Sequence, residues 1–143
     1  MSDSKREGIL AQIVTTVTSA TNSLVSGRVY RSRAQALSRA DSPAVYVKPV
    51  ADNRREIVVP YSERDLFVEL GIVTRGSIPE QDADPIAVAL HAALFADTTL
   101  GGRSIDIEES DTTFESLDVD ADGGVTRMRF RIYYRHMVEN LDQ

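Results

Sequence analysis

Residues 125 to 135 read VTRMRFRIYYR, with arginine at every second position, Arg127, Arg129 and Arg131, and again at Arg135. A period of two belongs to a β-strand, whose successive side chains point to opposite faces of the sheet. Met128, Phe130, Ile132 and Tyr134 therefore share one face and the arginines the other. The apolar face needs a core. The cationic face needs water, carboxylates, nucleic acid or another subunit, in a chain whose formal net charge is -6.

Further alternation surrounds this segment. In SERDLFVELGIVTRG (62–76), Leu66, Val68, Leu70 and Ile72 fall on one face and Asp65, Phe67, Glu69 and Gly71 on the other. That pattern predicts an antiparallel sheet with one buried face. AVYVKPV (44–50) alternates too, with Pro49 marking an edge or a strand end. ADNRR reads as a turn and EIVVP as resumed extended chain. Val29 to Arg31 suggests a short strand, followed by a polar loop, RSRAQALSRADSP. SIDIEE and TFESLDVD read as two short acidic strands, and DADGG as a hairpin turn.

Two segments follow a helical period instead. Ser4 and Glu7 have the spacing of a capping box, in which the serine accepts a free N–H and the glutamate reaches back. Ile9, Leu10, Ile13, Val14 and Val17 then form one apolar stripe, predicting a helix over about 5 to 23 with Gly27 as its stop. Asp84 and Pro85 supply an N-cap and a first helical residue after a loop, SIPEQDAD. Ile86, Leu90, Ala93 and Leu94 give the second stripe, ending near Ala96, and DTTLGG turns the chain. The expected order is helix, three or four strands, helix, three strands, with VENLDQ as a loose tail. Both helices have one apolar stripe, so both should cover the same face. The fold class is α+β: a mainly antiparallel β-sheet with two α-helices packed on one face. A length of 143 residues fits one domain, 1–143, with flexible ends at about 1–4 and 137–143.

Composition removes several functions. Cysteine is absent, which excludes disulfides, thiolate nucleophiles and cysteine-ligated zinc. No stretch approaches the roughly 20 apolar residues of a membrane span. MSDSKREGILAQ has charges without a continuous apolar run, against a cleaved signal peptide. A pI near 4.9 argues against a general nucleic-acid binder.

Motifs with chemistry are incomplete. Asp118, Asp120, Asp122 and Gly123 match the opening of a calcium-binding loop, but Arg129 stands where the closing bidentate carboxylate belongs. A plain turn explains the same residues. His91 and His136 lack the convergent partners of a metal site, and His91 suits the boundary side of the second helix. Gly101-Gly102 lacks a phosphate-loop context and reads as a left-handed stop after a helix. Asp106 and Glu108 have no activating partner, so no catalytic residue, metal or cofactor is assigned. The arginine stripe remains. It fits cross-strand pairing with the acidic strands at 105–109 and 114–120, a protein contact surface, or both.

One resemblance covers residues 5 to 136. A first amphipathic helix, the strand RDLFVELGIV, the helix DPIAVALHAALFAD, the turn TLGGR, an acidic strand pair and the strand RFRIYYR follow one another. This order resembles the tail terminator, or minor tail protein U-like, family of long-tailed bacteriophages. The resemblance implies a structural virion protein in the tail, assembled in the host cytoplasm. It forms a homo-hexameric ring that stops tail tube polymerisation and offers a head–tail joining surface. Its partners would be copies of itself, the tail tube protein and a neck or head-completion protein. Genomic DNA would pass through the bore without specific binding. No active site, cofactor or membrane contact is implied. On this reading Arg31, Arg33, Arg127, Arg129, Arg131 and Arg135 meet acidic residues such as Glu108, Glu109, Asp111 or Asp118 across a subunit or partner interface. Other readings stay open: another neck or head–tail connector protein, a small enzyme, or a monomeric adaptor domain.

Overall fold

The first helix begins where Ser4 Oγ accepts the Glu7 N–H at 3.1 Å, and it ends where Ser26 and Gly27 take positive φ values of 53° and 75°. Between those caps it buries Ile9, Leu10, Ile13 and Val17 of the expected stripe, leaves Val14 half-buried against the same core, and adds Thr21 and Val25. The second half of the capping box is not used, because the Glu7 carboxylate is held by Arg31.

The structure, a computed structural model, describes residues 3–32, 43–76, 78–117 and 120–142. The elements are α1 (Lys5–Val25), β1 (Val29–Arg31), β2 (Ala44–Val58), β3 (Tyr61–Arg75), α2 (Pro79–Ala96), β4 (Asp106–Leu117) and β5 (Asp120–Met137). The strands form a sheet in the order β1-β2-β3-β5-β4. β1 runs parallel to β2, and the other neighbours are antiparallel. Both helices lie on the same face. Their apolar stripes pack with Val45, Val47, Leu66, Val68, Leu70, Ile72, Met128, Phe130 and Ile132 into one core. The α+β architecture and the one-sided sheet are as expected.

Several local expectations give way to longer strands. ADNRR is not a turn. It lies inside β2, whose irregularities at Pro49/Ala51 and Arg54/Glu56 are bulges that absorb its turn-forming residues. The two acidic strands are one, β4, with a similar irregularity between Glu109 and Asp111. The helices are therefore followed by three and two strands. DADGG opens β5 instead of forming the turn, and Leu117 pairs with Asp120.

The second helix starts at Pro79, earlier than Asp84-Pro85 suggested, and carries Pro85 internally. Residues 79–82, expected as loop, supply its first turn, since the Gln81 and Asp82 N–H groups reach Ile78 O at 3.1 and 3.2 Å. After α2, the Asp97 carboxylate accepts the N–H groups of Thr99 and Gly101, each at 3.0 Å. Gly101 and Gly102 take the left-handed φ values, 70° and 85°, read from sequence, but as part of the following turn: the helix itself stops at an extended Asp97. The C-terminal stretch makes two backbone bonds to the rest of the described residues. Val138 N–H bonds Pro60 O, and Leu141 O accepts the Lys5 N–H, both at 2.8 Å.

Candidate interaction face

The site is the sheet face that the helices leave uncovered. Odd-numbered residues of β5 point to it because its even-numbered ones fill the core. Arg129 faces Glu69 on β3 and Asp111 on β4; Arg131 faces Phe67 and Glu108; Arg127 faces Gly71 and Thr113. The cationic strand thus lies between two strands that carry carboxylates on the same face.

Glu69 is the hub. It is 4% exposed although it lies on the face away from the helices. Tyr46 Oη donates to its Oε2 at 2.6 Å and Arg129 Nε donates to its Oε1 at 3.2 Å. Arg127 Nε lies 3.5 Å from Oε2 and also donates to Tyr46 Oη at 3.3 Å. Such charge-assisted bonds offset the cost of burying a carboxylate. Burial, then the hydrogen bond to Glu69, pushes the Tyr46 phenol up to about 12. It is a neutral donor at ordinary pH, not a nucleophile or base.

Around this hub the pairs become more exposed. Arg127 also meets Glu115, and Arg129 lies 3.8 Å from Asp111. Arg135 donates to Glu63 at 3.0 Å. Arg131 is held most loosely. Its nearest carboxylates, Glu108 and Asp65, are 3.6 and 3.9 Å away, and its guanidinium stacks on the Tyr133 ring at 4.3 Å. Its buried Nε has no hydrogen-bond acceptor among the described residues.

The sequence-derived candidates divide accordingly. Arg127, Arg129, Arg131, Arg135, Glu108 and Asp111 do share this face. Arg31 does not; it is on β1 and bonds Glu7 of α1 at 2.7 and 3.2 Å. Glu109 points to the opposite face, where it lies 2.8 Å from His91 Nε2 of α2. Its neighbour Glu108 takes the arginine side because adjacent strand residues alternate. Arg33 and Asp118 lie outside the described residues. Glu63, Asp65, Glu69 and Tyr46 were not expected as partners. The alternation that set Asp65 and Glu69 opposite the apolar positions of β3 was the signal for two of them.

No group of three or more histidine or acidic residues among the described residues is arranged to hold a metal ion. No helix among the described residues is long and apolar enough to cross a membrane. The arrangement is a charge ladder that joins three strands.

Comparison with solved structures finds the same architecture in a chain of the virion of a native gene transfer agent particle. The TM-score is 0.50 at 11% sequence identity, covering 89% of this chain and 92% of that one. The likeness is one of fold. Comparison with models of protein families gave no match, and comparison with curated proteins gave none either.

Proposed function

We propose that this chain is a structural subunit of a phage-like virion and works as a tail terminator. In that role it forms a hexameric ring on the end of the tail tube, stops tube growth and offers the surface on which a neck or head-completion protein docks. The observation that carries the reading is the fold shared with a virion chain over nearly the full length of both. The sequence resemblance supports the finer role. A sheet with one face covered by helices and the other coated with charge suits a subunit that meets others through polar surfaces.

Within this reading, the stripe is mainly internal. Arg127 and Arg129 hold Glu69, and Arg131 lies against Glu108, Asp65 and the Tyr133 ring of its own subunit. The surplus of carboxylates in the chain also suits a ring through which DNA passes, since like charge keeps DNA from adhering. The test is a tail-assembly reaction with purified chain, read by light scattering and negative-stain microscopy. The expected result is a six-membered ring and tubes of limited length. A monomer that leaves tube length unchanged overturns the terminator role. Binding to heads but not to tubes would assign it to another connector position.

A further inference from the structure

The two ends of the sheet differ in a way the arginine face does not use. At one end the β2–β3 hairpin closes through Ile57, Val58, Val59 and Pro60. Ile57, Val58 and Val59 are 46%, 45% and 84% exposed. Val138, 46% exposed, joins them, because its N–H is bonded to Pro60 O. Scattered apolar side chains in water need no explanation, but a consecutive run gathered at one tip marks a contact.

At the other end lies a groove of about 180 Å³ lined in part by Pro79, Glu80, Phe114, Glu115, Gly124 and Val125. Phe114, 67% exposed, forms one wall. Pro79 also lines it and sits so close to the sheet that a Cβ on Gly124 would meet its Cβ at 2.8 Å. The register fixes the separation. Tyr61 and Met137 pair beside the tip, and Thr74 and Gly124 pair at the groove. Tip and groove therefore stand at opposite ends of the strand axis, roughly 45 Å apart at the usual rise per residue. Their charges also differ. Exposed Arg54 and Arg55 precede the tip on β2, and Glu80 and Glu115 stand at the groove.

We propose that the Val58–Val59 tip of one subunit seats against Phe114 and Pro79 of a second copy, with Arg54 and Arg55 facing Glu80 and Glu115. The apolar side chains supply the burial and the charges set the direction. Because the two surfaces differ, the contact is heterologous. Each copy keeps a free tip and a free groove for the next, so the contact repeats until a ring closes. This deepens the ring reading and rests on it for the closed form.

The experiment compares the full chain with Val59→Asp and Phe114→Asp by light scattering, with circular dichroism as the control for folding. Each variant alone should associate at least tenfold more weakly than the parent. Mixed, they should form a one-to-one dimer and nothing larger, because one intact tip then meets one intact groove. If either variant misfolds, Arg54→Glu and Glu80→Lys replace them: each should weaken assembly, and the double variant should restore it. Rings formed normally by Val59→Asp or Arg54→Glu would overturn this contact and leave the ring reading standing. A variant that still forms rings but no longer caps tubes would assign the tip to the tube protein instead, and also overturns the proposal. A parent chain that stays monomeric at all concentrations and on tubes overturns both.

Discussion

Tyr46 lies across Gly71 and donates its phenol to Glu69 Oε2 at 2.6 Å, joining β2 to a carboxylate that β5 approaches with two arginines. Tyr46→Phe leaves that buried oxygen short of a donor and should cost about 1–3 kcal/mol of stability. Urea denaturation checks it. Gly71→Ala should cost a comparable amount, about 1–3 kcal/mol, because the new methyl falls within the Tyr46 ring.

Alkali should act through the same phenol. Its folded value, about 12, exceeds the ordinary 10.0, so it contributes stability that is complete below pH 10. That contribution disappears as pH rises through 12, since the unfolded chain releases the proton first. Tyr134 is shifted upward as well, by burial and then by its bond to Asp52, and should add to the loss. Denaturation midpoints measured from pH 9 upward should fall in the parent and fall less steeply in Tyr46→Phe. Equal slopes would remove Tyr46 from the account.

The stripe arginines should be unequal. Arg129→Ala removes a direct donor to buried Glu69 and should cost about 1–3 kcal/mol. Arg135→Ala breaks a more exposed pair and should cost less than about 1 kcal/mol. Arg131→Ala removes longer pairs with Glu108 and Asp65 and the contact with Tyr133, and should cost less than Arg129→Ala when both are read by thermal denaturation. Reversing Arg129 to glutamate is a poor interface test, since a carboxylate set against Glu69 undermines the subunit itself.

Pro85 should be replaceable with gain. It sits exposed within α2 and cannot offer an N–H to the preceding turn. Pro85→Ala should stabilise the chain by about 1–3 kcal/mol, as read from the thermal midpoint. An unchanged or lower midpoint would mean that the helix depends on the bend.

Alternation made much of this fold readable. Leu66 to Ile72 and Met128 to Tyr134 announced both the core and the face opposite it, and the stripe of α1 announced which elements cover it. Bulges hid the rest. Asp52 and Asn53 are turn residues by propensity, yet Asp52 is held inside β2 by Arg6 at 2.9 Å and by Tyr134, partners far away in sequence. Pro79 and Pro85 compete for the same helix start, and sequence spacing favoured the wrong one. Among the site residues, the cations were legible from their period. Glu69 was legible only as a position; its role depends on β2 and β5 flanking β3, which no local pattern states.

The seam between β3 and β5 has a mechanical consequence. Its fifteen residue pairs run without interruption from Tyr61–Met137 to Arg75–Gly123 and join the two long hairpins. Backbone bonds in such a pair lie across the strands. Tension along the strand axis must therefore shear the whole seam at once, whereas tension across it opens one pair at a time. A subunit loaded lengthwise is tough and one loaded sideways yields, so the direction of pull sets its strength.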